Sequence, residues 1–160
     1  MKNIKLLFVC LGNICRSPAA QGIMESLVKN KGLEKRIFID SAGIGGWHAG
    51  QLPDKRMRDC GALHGYNFSH HARQFQANRD FDKFDYIFGM DSENCDDLRR
   101  MACNGKEKAK VRPFAQYLHH HPGQPDIPDP YYGGHDDFEF VIELLEDACT
   151  GLLEELQNEE

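Results

Sequence analysis

Apolar positions along the chain follow two rhythms. Ile4-Lys5-Leu6-Leu7-Phe8-Val9 is a short, nearly continuous apolar run, the pattern of a buried strand. Ala20, Ile23, Met24, Leu27 and Val28 then recur at helical spacing, with Pro18 early in the segment and a stop near Gly32. Ile37 to Ile39 predicts a second strand, and a glycine-rich loop runs from Ala42 to Gly50. Pro53 opens a helix that carries Met57, Cys60, Gly61 and His64 on one side and stops at Gly65. Tyr86-Ile87-Phe88 reads as a third strand, and Asp91 or Ser92 caps a helix containing Cys95, Leu98 and Met101. Val111 lies in a short fourth strand ending at Pro113. Residues 115–134 read as irregular, and a last helix starts near Asp136-Asp137, burying Phe138, Val141, Ile142, Leu145, Cys149, Leu152 and Leu156. Strands that alternate with helices predict an α/β fold of three αβα layers, with parallel strands between two helical faces. Ligands in such sheets sit beyond the carboxyl ends of the strands.

Composition narrows the field. A chain of 160 residues suits one domain spanning 1–160, and is long enough to bury a real core. A net charge of −6 argues against a nucleic-acid partner. No run approaches the roughly 18 apolar residues of a membrane span. The N-terminus lacks the apolar stretch and cleavage site of an export signal, so a cytoplasmic location is expected. Six cysteines without C-x-x-C pairs suggest reduced thiols rather than a disulfide framework or a zinc site. His119-His120-His121 reads as a solvated loop, not a metal site. No metal or cofactor is expected.

The chemistry concentrates where the first strand ends, in Cys10-Leu11-Gly12-Asn13-Ile14-Cys15-Arg16-Ser17. A cysteine leaving a strand, five residues and an arginine entering a helix form a cup for a tetrahedral oxyanion. The first helical turn leaves N–H groups without intrahelical partners, and the helix dipole puts positive charge at the same end. A loop of successive N–H groups is a nest for phosphate. Arg16 adds an always-charged fork. Gly12 and Asn13 both tolerate positive φ. A thiol in such a field loses its proton more readily and becomes a strong nucleophile. Ser17 stands where its hydroxyl could stabilise the sulfur as a leaving group. The bland reading of C-x5-R is a buried strand-end cysteine. A Walker loop needs two glycines and a lysine, and a dinucleotide fingerprint needs a third glycine where His48 stands. Neither is present.

Hydrolysis of a phosphate ester also needs an acid for the leaving oxygen. Asp129-Pro130-Tyr131-Tyr132 is the candidate: Pro130 restricts Asp129, and two tyrosines could wall an aromatic pocket. Taken alone, a plain Asp-Pro turn with half-buried tyrosines is the better reading.

The octapeptide 10–17 together with Asp129-Pro130-Tyr131-Tyr132 closely resembles the low-molecular-weight protein tyrosine phosphatases. Asp40-Ser41-Ala42-Gly43, Ser69-His70-His71-Ala72-Arg73-Gln74 and Phe84-Asp85-Tyr86-Ile87 leading to Met90-Asp91 fit as well. The resemblance implies a central four-stranded parallel sheet and hydrolysis through phosphocysteine. It implies Cys10 as nucleophile, Arg16 with the 11–17 amides as phosphate clamp, and Asp129 as acid and then base. Asn13 would hold the loop through Ser17, Ser41 and His70. Trp47, otherwise a loop anchor, would face Tyr131 and Tyr132 across the substrate cleft. Cys15, otherwise a filler, would form a reversible disulfide with the nucleophile. The implied partners are phosphotyrosine proteins and small aryl phosphates, with inorganic phosphate as product and inhibitor. Gln21 departs from the family, where many members carry Glu. Two rivals share the cup. An arsenate reductase of the same fold would relay electrons through two further cysteines, with Cys95 and Cys103 as candidates. A phosphocysteine carrier would need no acid, so Asp129 discriminates.

Overall fold

The computed structural model describes residues 2–159; of the expected 1–160 span, Met1 and Glu160 lie outside the described residues. Four strands form one parallel sheet: β1 (Ile4–Cys10), β2 (Ile37–Gly43), β3 (Tyr86–Gly89) and β4 (Val111–Pro113). Their order is β2-β1-β3-β4. The chain moves from β1 to one neighbour, β2, and then crosses to the other, β3. The carboxyl end of β1, where Cys10 lies, is therefore a topological switch point, the place where such sheets open a crevice.

Strand periodicity decides what packs where. Leu6, Phe8 and Cys10 point to one face, where α1 (Arg16–Asn30), α2 (Lys55–Leu63) and α6 (His135–Asn158) supply Ile23, Met24, Met57, Phe138, Val141 and Leu145. Leu7 and Val9 point to the other face, against Phe81 of α3 (Ala77–Lys83) and Cys95 and Leu98 of α4 (Ser92–Met101). Phe8, Phe88 and Phe114 stack their rings in the larger core, with centroids 4.9–5.5 Å apart. A short α5 (Gly105–Lys110) precedes β4 and buries no side chain.

The elements differ from the apolar pattern in instructive places. β2 runs on to Gly43, because Asp40 and Ser41 break the apolar run but pair with Leu7 and Phe8. α1 starts at Arg16, ahead of Pro18, which takes an early helical position. α2 starts at Lys55, and Asp54 caps it by accepting from Arg56 N. α3 and α5 fall in segments where the pattern predicts none. Residues 114–117 form a 3-10 turn inside the stretch expected to be irregular. His119 and His120 are exposed, as expected of a solvated loop, but the segment is anchored. The nearly buried Asp147 carboxylate accepts from His119 N and His120 N and lies 3.2 Å from His121 Nδ1.

Candidate active site

The loop from Cys10 to Ser17 is held from outside by its carbonyls. Ile44 N donates to Cys10 O and Gly45 N to Leu11 O, each at 2.9 Å, extending the β1–β2 pairing past the sheet. Asp54 N donates to Ile14 O at 2.8 Å. Among the described residues, none of the backbone N–H groups from Leu11 to Ser17 donates to a protein acceptor. With the carbonyls engaged outward, these donors are left for the concave side. Gly43 makes the close wrap possible: a Cβ there would lie 3.0 Å from Gly12 C and 3.1 Å from Asn13 N.

Asn13 is the keystone of the wrap. It is fully buried with φ of 59°, a conformation that Asn tolerates better than most residues. Its Nδ2 donates to Ser17 Oγ (2.8 Å) and Ser41 Oγ (3.0 Å), and its Oδ1 accepts from Arg73 N (3.0 Å). Ser41 Oγ in turn donates to Gln21 Oε1 at 2.6 Å, so Gln21 serves as an acceptor beneath the loop. Two expectations are corrected. Gly12 does not adopt positive φ; instead its missing side chain lets His48 approach, since a Cβ would meet His48 Cδ2 at 3.0 Å. Arg73 N takes the place expected of His70 on Asn13. His70 faces Asp40 at 3.7 Å, and burial outweighs that carboxylate to hold its pKa below the ordinary imidazole value.

Ser17 Oγ lies 3.0 Å from Cys10 Sγ. Because Asn13 already donates to Ser17, the hydroxyl keeps its proton for the sulfur or for Ala42 O, which is more distant at 3.4 Å. Arg16 is 2% exposed. Its Nη1 is fully engaged, donating to Asp91 Oδ2 at 2.6 Å and to Ile127 O at 3.0 Å. Its Nε is buried without a protein partner, and Nη2 lies 3.8 Å from Asp129 Oδ2. One edge of the guanidinium is thus anchored and the other is left to bind. Burial opposes the charge, but Cys10, Asp91 and Asp129 outweigh it and raise the Arg16 pKa above its ordinary value. Asp91, which is also the N-cap of α4, was visible in the sequence only as a cap. The signal for its second role is general: a buried arginine needs a carboxylate.

The cup opens into a cavity of about 210 Å³ lined by Cys10, Leu11, Gly12, Ile14, Cys15 and Arg16 below, and by Trp47, His48, Asp129, Tyr131 and Tyr132 around the mouth. Asn13 and Ser17 lie beneath it. Trp47 is 69% exposed and folds across Gly45, with its ring filling the space a Cβ there would need. Asp129 Oδ1 accepts from Tyr131 N at 3.1 Å, and Gly133 N donates to Pro130 O at 2.8 Å, so the acid segment is a turn held by its own backbone. Tyr131 and Tyr132 meet edge to face at 5.0 Å, and the Arg56 guanidinium covers Tyr131.

The remaining candidates separate. Cys15 is buried, and desolvation, with Asp54, Cys10 and Asp129 adding to it, pushes its thiol well above the ordinary value. Cys95 belongs to the core on the opposite face of the sheet from Cys10, where burial raises it to about 11, and Cys103 is exposed. A relay from Cys10 through these two thiols would have to cross the sheet.

Comparison with known proteins gives the same placement. The sequence profile described as low molecular weight phosphotyrosine protein phosphatase matches residues 5–160. A low molecular weight phosphotyrosine protein phosphatase of Schizosaccharomyces pombe is 47% identical over 148 residues, covering 91% of this chain and 92% of the relative. A low molecular weight protein-tyrosine-phosphatase of Streptomyces coelicolor is 44% identical, covering 93% and 91%. The crystal structure of an Entamoeba histolytica protein tyrosine phosphatase with Hepes in its active site superposes with a TM-score of 0.93, at 41% identity and 98% coverage of both chains. With one parallel sheet, a strand-end cysteine cup and likeness along almost its whole length, the chain belongs to the low molecular weight phosphotyrosine protein phosphatase family.

Proposed function

We propose that this family member hydrolyses phosphotyrosine and other aryl phosphates in two displacements at the Cys10 cup. Cys10 Sγ attacks phosphorus in line. The P–O bond to the phenol breaks, and Asp129 gives that oxygen its proton. The resulting phosphocysteine is attacked by water. Asp129 takes the water's proton, the P–S bond breaks, and inorganic phosphate leaves. Through both steps the Leu11–Ser17 amides and the free Arg16 edge hold the equatorial oxygens, where charge builds in the transition state. Ser17 steadies the departing sulfur.

The observation that carries this reading is the buried Arg16, with Nη1 fixed by Asp91 and Ile127, Nε without a protein partner and Nη2 3.8 Å from Asp129 Oδ2. Such an anchored fork suits two phosphate oxygens. The aromatic mouth of Trp47, Tyr131 and Tyr132 suits a phenyl ring and excludes no attached peptide, because Tyr132 is 95% exposed. Among the described residues, no helix is long and apolar enough to cross a membrane; a cytoplasmic setting is part of this proposal. Cys15 lines the same cavity as Cys10, which suits a resolving role. Peroxide would oxidise Cys10 to the sulfenic acid, the Cys15 sulfur would displace water to form a disulfide, and an added thiol would reduce it.

Rapid-quench hydrolysis of p-nitrophenyl phosphate tests the sequence of steps. The wild type should give a burst of nitrophenolate matched by acid-stable phosphate on Cys10, and Cys10→Ser should give neither. Turnover without phosphocysteine would refute the covalent route. For the thiol catch, a Cys15→Ser variant should lose thiol-reversible protection from peroxide; unchanged reversibility would refute it.

A further inference from the structure

A second chemically organised site lies outside the cup, where α2 meets the start of α6. Cys60 on α2 and His64, the C-cap that follows it, stand four residues apart, which brings both side chains to the same side of that helix end. His135 and Glu139 stand four residues apart on α6 and face them. Cys60 Sγ is 3.2 Å from Glu139 Oε1. His64 Nε2 is 2.8 Å from Glu139 Oε2 and 3.0 Å from Oε1. The donor atoms of Cys60, His64 and Glu139 all lie within 4.8 Å of one another. His135 Nε2 is 3.9 Å from Glu139 Oε1.

We propose that Cys60, His64, His135 and Glu139 form a zinc-binding site that clamps α2 to α6. The donor set is one thiolate, two imidazoles and one carboxylate, which favours zinc and its neighbours over the hard cations magnesium and calcium. With metal–ligand bonds of about 2.0–2.3 Å, the edges of a tetrahedral site are about 3.3–3.8 Å. The separations of Cys60 and His64 from Glu139 fall close to that range, so these three close with small side-chain shifts; His135, outside that group of three, completes the shell by turning its exposed side chain toward it. The charges also close: thiolate and carboxylate offset the divalent ion. As a plain hydrogen-bonded clamp, the cluster would have Glu139 accept from Cys60 and His64, with His135 contributing only a longer i, i+4 charge contact to the same carboxylate.

The sequence concealed the site. Its cysteines show no C-x-x-C spacing, because the ligands come as two helical i, i+4 pairs 71 residues apart (135 − 64). Its position gives it a consequence. His135 follows Tyr132 by three residues, and Arg56, one helical turn before Cys60, covers Tyr131 and Phe138. An ion here would fix the far end of the tyrosine segment to α2. The proposal does not rest on the hydrolytic reading, and its test uses no activity.

Zinc chloride titrated calorimetrically into the reduced full chain, with cobalt(II) titrated in parallel for thiolate-to-cobalt charge-transfer absorption, tests it. One ion should bind per chain and raise the melting temperature. Binding should persist in a Cys10→Ser/Cys15→Ser variant, which removes the cup thiols. It should weaken at least about tenfold in His64→Ala and in His135→Ala, and the cobalt charge-transfer band should vanish in Cys60→Ser. His64 and His135 are partly exposed, so those variants remain informative even where Cys60→Ser fails to fold. Absence of stoichiometric binding in the wild type would overturn the proposal. So would affinity unchanged in both histidine variants, or binding lost with the cup thiols.

Discussion

The cup at 10–17 and the acid segment at 129–134 face each other across one cavity but are built in opposite ways. Asn13, Cys15, Arg16 and Ser17 are buried, and their positions are set by bonds from β2, α4 and the 70–75 segment. The acid segment is exposed apart from the buried Pro130 and is held by short-range turn bonds, with Arg56 over one ring. The half that must match a charged transition state is rigid before substrate arrives, which is what electrostatic catalysis requires. The half that meets varied substrates and hands over a proton costs the core little. Mutations in the cup should therefore affect activity and stability together, while mutations in the acid segment should affect activity alone.

Cys10→Ser should remove turnover entirely yet keep phosphate binding, checked by phosphate titration. Arg16→Lys comes next: a single ammonium cannot serve Asp91, Ile127 O and two phosphate oxygens, and kcat should fall by about 10³-fold or more. Asn13→Ala breaks the comparison from the scaffold side. It removes three hydrogen bonds and places Ala at positive φ, so stability should fall by about 2–4 kcal/mol with a loss of kcat. Denaturant unfolding alongside kinetics would check both. If the fold is unharmed, the cup is not held as described. Tyr132→Ala should change KM by about two- to tenfold and leave the melting temperature unmoved. A melting shift there would show the acid segment to be more deeply integrated than its contacts imply.

One effect lies outside both regions. Burial opposes the Asp147 carboxylate, but the bonds from His120, His121 and His119 outweigh it and hold its pKa below the ordinary value of 3.8. Its stabilisation is present above that value and lost as pH falls through the lower folded pKa. Asp147→Ala should therefore lower the melting temperature by about 5 °C near pH 7, and the gap should narrow as acidification carries the carboxylate through its lowered folded-state pKa.

Legibility in the sequence follows the same division. The cup could be read because its chemistry is contiguous: nucleophile, amides, arginine and serine share eight residues after an apolar strand. The parallel sheet could be read because β1, β3 and the Ile37–Ile39 part of β2 carry apolar runs. Asp91 and Gln21 could not be assigned their contacts, since only tertiary structure brings β3's end and α1 to the loop. α3 and α5 were missed because seven and six residues are too few to show a helical period. The His-rich stretch looked featureless because its anchor, Asp147, sits on α6.

The division of labour is tested most directly by Asp129→Asn, assayed together for inorganic phosphate affinity and for hydrolysis of phosphotyrosine peptide. A cup assembled independently of the acid segment predicts phosphate affinity within about threefold of wild type, while kcat falls by about 10²–10⁴-fold. Hydrolysis at the wild-type rate, or loss of phosphate binding in step with turnover, would contradict it.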